Sequence, residues 1–173
     1  MIFDCIFWPI EAPLIGLVRE SATDHKVNSN LIDLGRALLL HNFWARSGFA
    51  ALEAILVGDC AEMCVGQPDA IIRDSILNFM EETICSGAKN RCTCCKITRW
   101  EEEPFSQCAY SNQRVGSCDA HLNALMLSEW GGTLIFAGEA TDIACQGSCH
   151  GAIFSGIRAA EEVCSVMASE GWP

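Results

Sequence analysis

The stretch Thr133–Ala168, TLIFAGEATDIACQGSCHGAIFSGIRAAEEVCSVMA, decides how the rest of the chain is read. Leu134, Ile135, Phe136 and Ala137 form an unbroken apolar run, the pattern of a strand buried on both faces in a parallel sheet. A polar, glycine-containing crossing follows from Gly138 to Gly151, and then a helical pattern. Ile153, Phe154, Ile157, Ala160, Val163, Cys164 and Met167 recur at three- and four-residue steps, which predicts a core-facing stripe with Arg158, Glu161, Glu162 and Ser165 facing away. Ala152, Ser155, Gly156 and Ala159 make a small-residue stripe, suited to close approach to a sheet or a flat ligand. A strand, loop and helix in this order aim backbone N–H groups and a positive helix end beyond the strand's carboxyl end. An electron-rich ligand is expected there.

Outward from this stretch, the chain has 173 residues, enough for one ordinary domain or parts of two. Half of the residues are hydrophobic, so material for a core is ample. The net charge of −11 disfavours binding to a phosphate backbone, because no basic patch exists to displace counterions. An acidic surface attracts polyamines or basic peptide tails, although many proteins are acidic without such a role. Met1–Ile10 carries Asp4 and Pro9 and lacks a basic leader, so it does not read as a signal peptide. The apolar runs fall far short of the roughly 18 residues that span a bilayer. An intracellular, soluble chain is expected, in cytoplasm or nucleus. The twelve cysteines therefore do not suggest a disulfide framework first.

In chain order, Ile2–Phe7 and Leu14–Val18 read as strands, and Ser21–Asn30 as a loop or hairpin connection. Ala37–Trp44 and Phe49–Val57 read as β-prone runs joined by the glycine turn Ala45–Gly48. Asp59–Val65 reads as a short helix. Pro68 and Asp69 start a longer one, with Ile72, Ile76, Phe79, Met80 and Ile84 on one face and Gly87 as its stop. After a cysteine-rich turn, Ala88–Cys95, a strand is expected at Lys96–Trp100 and a loop at Glu101–Gln107. Asn112–Gly131 reads as mostly irregular, with one helical turn near Leu122–Leu127.

Three segments carry a likeness to a known family: GEAT (Gly138–Thr141), QGSCHGAIFSGIRAAEEV (Gln146–Val163) and ITRWEEEPFSQCAYS (Ile97–Ser111). They resemble the C-terminal region of flavin-containing amine oxidases, which include polyamine oxidases, lysine-specific histone demethylases and monoamine oxidases. The order and spacing match from IFDCIFWP (Ile2–Pro9) to the last helix. The HGA-x-x-SG helix and the WEEEPFSQ loop look closer to polyamine oxidases and histone demethylases than to monoamine oxidases. The implied fold class is α/β (α+β): residues 1–110 as a portion of a mixed-sheet substrate-binding domain, and 111–173 as the last strand and helix of the FAD-binding domain. The implied reaction is FAD-dependent oxidation of a polyamine-type or secondary amine by hydride transfer, with oxygen reoxidising the flavin to release hydrogen peroxide.

The resemblance also assigns roles to particular residues. Glu139 matches the glutamate that contacts FAD; a loop acid facing solvent is the plainer reading. Ser148 and Cys149 stand where a Thr-Val pair commonly contacts the flavin. A serine before a helix is also simply a good N-cap. His150 reads as a structural turn residue. Trp100 matches a tryptophan beside the flavin, although a tryptophan ending a strand is more often core. Tyr110, the chain's only tyrosine, matches one aromatic wall of the slot that guides the amine, where an aromatic face attracts a cation by about 0.5–2 kcal/mol. Cys108 stands where the family usually has glycine. The cysteine that tethers flavin in monoamine oxidases aligns with Ala109, which disfavours a link through Cys108. Cys85, Cys92, Cys94 and Cys95 make a poor zinc knuckle, and no metal is expected.

The glycine-rich dinucleotide turn of the family has no counterpart, and its flavin-side lysine would lie upstream of Ile2. The chain therefore reads as the C-terminal portion of a larger oxidase, whose missing FAD-domain segment would be its partner alongside a small amine. The alternative is a non-catalytic fragment or interaction module that keeps the fold without flavin. A cysteine-rich metal or redox protein is a third reading.

Overall fold

The computed structural model describes residues 1–20 and 30–169, with Ala45 described in its backbone alone. Residues 21–29 of the expected Ser21–Asn30 connection lie outside the described residues. The chain divides into two compact units, Met1–Arg99 and Trp100–Pro173. Residues 100–110 thus belong to the second unit.

The first unit runs β1 (Ile2–Phe3), β2 (Leu14–Val18), β3 (Ala37–Asn42), α1 (Trp44–Ser47), β4 (Leu52–Ile55), α2 (Asp59–Cys64), α3 (Asp69–Thr83), α4 (Ala88–Arg91) and β5 (Cys92–Cys94). β2, β3 and β4 form an antiparallel sheet, with Leu14 opposite His41 and Asn42 opposite Leu52. β1 pairs antiparallel with β5. Successive side chains of a strand point to opposite faces. Accordingly Ile15 and Leu17 of β2, and Leu38 and Leu40 of β3, are buried, while Leu14, Val18 and Leu39 stay exposed. α3 covers this sheet with Ile72, Ile76, Phe79 and Met80, the face expected from periodicity, while Ile84 is only partly buried.

Polar side chains fasten the apolar core. The buried Asn42 Oδ1 accepts from Trp8 Nε1 at 3.0 Å and from the Trp44 N–H at 3.0 Å. Its Nδ2 donates to the carbonyls of Ile10 and Ala12 at 3.1 and 2.9 Å. Arg19 lies 4.1 Å over the Phe79 ring and pairs with Glu82 at 2.8 Å. Burial of a charge is costly unless it is paired, and this one is.

The second unit is differently built. It holds α5 (Asp119–Met126), two 3₁₀ turns (Trp130–Gly132 and Glu139–Thr141) and α6 (Cys149–Ser169). Three expectations change here and next to it. The strand expected at Lys96–Trp100 instead lies earlier, at β5, where β1 offers ladder partners. The single turn expected near Leu122 is a full helix beginning at Asp119, because Cys118 and His121 cap its first turn. The buried parallel strand expected at Leu134–Ala137 does not form. Leu134 makes an isolated bridge to Glu129, and no strand among the described residues lies alongside the rest. A strand is stabilised by its ladder, and this run has no ladder partner beyond that one bridge among the described residues. At the level of fold class the mixed arrangement of helices and small sheets holds.

α6 has the expected extent but the opposite orientation. Ile153, Phe154, Ile157, Val163 and Met167 are exposed, with Ile153 at 56% and Phe154 at 53%. Gly151 and Ser155 face inward instead. Arg158, expected to face away, also reaches inward. Its guanidinium donates to the carbonyls of Met126 (3.1 Å) and Phe136 (2.8 Å) and to Thr141 Oγ1 (3.2 Å). Within its own unit α6 meets backbone polar groups, and Ser155 and Arg158 on its inward side pair with them.

Candidate functional site

The start of α6 is fixed by local chemistry. Ser148 Oγ accepts the Gly151 N–H at 3.1 Å, the bond of an N-cap, and donates to the Cys145 carbonyl. Gly151 is required here: a Cβ at this position would stand 2.3 Å from the Cys145 carbonyl oxygen. One turn later Ser155 Oγ accepts the Gly138 N–H at 2.9 Å and donates to the Ala152 carbonyl at 3.0 Å. The two serines thus pin two points of the crossing loop, Gly138 and Cys145, onto the first turns of the helix.

Glu139 is the hub of that loop. Its Oε1 accepts the Ser111 N–H at 2.8 Å, and its Oε2 accepts Ser111 Oγ at 2.8 Å and the Gly147 N–H at 2.5 Å. Gln146 Nε2 adds a bond to Ser111 Oγ at 3.0 Å. Partial burial pushes the carboxyl pKa up. The hydrogen bonds from the Ser111 side chain, the Ser111 N–H and the Gly147 N–H outweigh this and hold it below the ordinary carboxylate value. Glu139 is therefore anionic at neutral pH.

Of the residues singled out in the sequence, Glu139, Ser148 and Tyr110 come together through Gly147 and Ser111. The Tyr110 ring lies against Gly147, its Cδ2 at 3.5 Å from where a Cβ would stand. Cys149 is exposed in the first turn of α6, beside His150, whose ring meets Phe154 edge-on at 6.2 Å. Trp100 is about half exposed, in a turn where the second unit begins. Cys108 is exposed and its thiol points back to the Tyr110 carbonyl at 3.2 Å. Ser111, Gly147, Ser155 and Arg158 join the cluster without having been expected there, although Ser111 ends the QCAYS motif and Ser155 belongs to the small-residue stripe. The tertiary pairing with Glu139 and Gly138 carried no local signature.

A carboxylate has about four acceptor positions, and three donors from the chain meet those of Glu139. Oε1, with one of the three, keeps an acceptor position suited to a ribityl or ribose hydroxyl. Together with the capped start of a 21-residue helix, this donor set fits one side of a flavin: an acceptor for sugar hydroxyls and a positive helix end for negative charge on the ring.

In the first unit, burial pushes the Cys92 and Cys95 thiols up, so they stay protonated and are poor nucleophiles. Among the described residues no group of three or more His, Cys, Asp or Glu side chains is placed to hold a metal ion. No helix among them is long and apolar enough to cross a membrane.

Comparison with known proteins gives the frame. Histone demethylase-like protein A of Aspergillus fumigatus is 29% identical over 165 residues, covering 94% of this chain and 15% of that protein. Lysine-specific histone demethylase 1 homolog 2 of Arabidopsis thaliana is 30% identical over 180 residues, 96% of this chain and 21% of the relative. Possible lysine-specific histone demethylase 1 of Drosophila melanogaster is 27% identical over 170 residues, 93% and 18%. The chain thus spans about a fifth or less of the length of these relatives. Residues 1–164 match the family described as Flavin containing amine oxidoreductase. With that match over almost its whole length, and with the GEAT turn, the capped helix and the Tyr110 loop assembled as a cluster, the chain belongs to the flavin-containing amine oxidoreductase family.

Proposed function

We propose that this chain supplies one side of an FAD site and part of an amine pocket in an amine oxidase acting on a secondary amine of the polyamine or methyl-lysine type. The observation that carries the reading is the gathering of Tyr110, Glu139 and Ser148 at the start of α6, in a chain matching the amine oxidase family over residues 1–164. Bound FAD would supply the hydride acceptor for the carbon bearing the amine and, on reoxidation by oxygen, hydrogen peroxide.

The chain's own residues orient and polarise. The N-terminal turn of α6, capped by Ser148 and presenting Cys149, would oppose negative charge at the ring, an effect on the order of 0.3–2 kcal/mol. Glu139 Oε1 would accept from a sugar hydroxyl. Tyr110 and Trp100 would offer aromatic faces to a cationic amine and exclude water from its path. The net charge of −11 favours cationic substrates. Names of relatives such as lysine-specific histone demethylase 1 homolog 2 favour a lysine methylamine over spermine as the first substrate to try. Residues 1–110 are assigned to substrate binding and 111–173 to the FAD-binding domain, whose remaining glycine-rich segment would be the partner.

The test is to purify the chain alone and co-expressed with a glycine-rich dinucleotide-binding segment of the family. Flavin absorbance after desalting and peroxide release with a dimethyl-lysine peptide and with spermine are then measured. Retained flavin with peroxide from the peptide is expected in the co-expressed form. Neither flavin nor peroxide in either form overturns the reading. That outcome would favour a non-catalytic interaction module, a reading to which the three internal partners of Glu139 and the exposed apolar stripe of α6 also lend weight.

A further inference from the structure

The aromatic ring proposed to face the amine is half exposed, at 52%, and sits in a loop without regular secondary structure. Something must hold it, because a loop side chain with few buried contacts is otherwise mobile. The observed restraint runs through one carboxylate. Glu139 grips Ser111 twice, by the backbone N–H at 2.8 Å and by Oγ at 2.8 Å, which fixes the backbone immediately after Tyr110. The same carboxylate grips the Gly147 N–H at 2.5 Å, and Gly147 carries the surface on which the Tyr110 ring lies. Ring and platform are thus tied to the same two oxygens. Gly147 has φ of 71°, a left-handed backbone that favours glycine, and the Tyr110 ring lies at contact distance from it.

We propose that Glu139 is a positioning residue whose carboxylate, acting through Ser111 and Gly147, sets the orientation of the Tyr110 ring. The role of that ring in amine recognition rests on the proposed function; the clasp itself does not. Two oxygens serving three donors demand a carboxylate. A glutamine keeps the size but replaces one acceptor oxygen with an NH₂ group, which cannot accept from Ser111 or Gly147.

The test uses the single tyrosine of the chain, which gives a single ring signal when tyrosine is labelled with ¹³C and observed by NMR. In Glu139→Gln the Tyr110 ring signal is expected to shift by more than its line width and to sharpen toward the position of a free tyrosine. Ser111→Ala removes one of the three bonds and is expected to move it part of the way in the same direction. Glu161→Gln, on the exposed side of α6, is expected to leave it in place. The indole signals of the five tryptophans report whether each variant remains folded. If Glu139→Gln fails to fold, Ser111→Ala carries the test. An unmoved ring signal in a folded Glu139→Gln or Ser111→Ala protein overturns the proposal. These measurements need no flavin. Loss of the flavin reading with a shifting ring would leave the clasp standing, and bound flavin with an unmoved ring would do the reverse.

Discussion

The two units of this chain are held by different physics. In the first, every member of the buried apolar cluster, from Phe3 to Ala88, belongs to residues 1–99, and each fully buried Leu, Ile, Phe or Met side chain contributes about 1.5–3 kcal/mol. In the second, Leu122 is the one apolar side chain buried among the described residues. Its helix α6 is fastened by Ser155 and Arg158 while its apolar stripe faces outward. The difference teaches that a helix can be anchored by carbonyls and hydroxyls where no apolar surface is offered. It also places the proposed functional residues on the polar-bonded unit, where local order depends on a few directional contacts.

The comparison can be broken in four ways. Phe79→Ala empties a site with 0% exposure in the first unit and is expected to cost about 3–5 kcal/mol by urea unfolding. A loss below about 1 kcal/mol would contradict a dry, close-packed core. In the second unit, Arg158→Ala frees the Phe136 and Met126 carbonyls and is expected to cost about 1–3 kcal/mol. Hydrogen exchange should rise along α6 and leave α3 unchanged; equal effects on both helices would deny the separate character of the units.

Acid should weaken the second unit next. The folded pKa of Glu139 lies below its ordinary value, so its contribution is present at neutral pH and is lost as pH falls through that lowered value. The Tyr110 ring signal is expected to change in that acid window, and Glu139→Gln should abolish the transition. A Glu139→Gln protein that retains it would assign the transition to another group. The smallest effect is expected from Ile157→Ser, which alters a side chain with 53% exposure and should stay within about 0.5 kcal/mol of the parent. A larger loss would mean that the stripe of α6 is covered in solution. The same change at Ile76, with 6% exposure, should be far more damaging.

Legibility followed the same division. β2 and the buried face of α3 could be read because their periodicity answers to a surface the chain itself supplies. β2 forms where a strand is expected, with Leu17 inside, and Phe79 lies inside as the helical repeat predicts. The same reasoning placed Ile153 and Ile157 inside, where they are not, because the stripe finds no apolar surface of its own unit to cover. GEAT and QGSCHG could be read as chemistry, since an acid after an apolar run and a serine before a helix have local physical meaning. The pairing of Glu139 with Ser111, which are 28 positions apart, could not.

By itself, then, the sequence determined the family, the extents of β2 and α3 and the N-cap at Ser148. Only the tertiary structure decided which face of α6 turns inward, that Leu134–Ala137 stays unpaired, and that one carboxylate ties the Tyr110 loop to the helix entry. The physical reason is reach. Propensity, capping and periodicity act over a few residues. A ladder, a buried face and a three-donor carboxylate each need groups that the chain brings together only by folding.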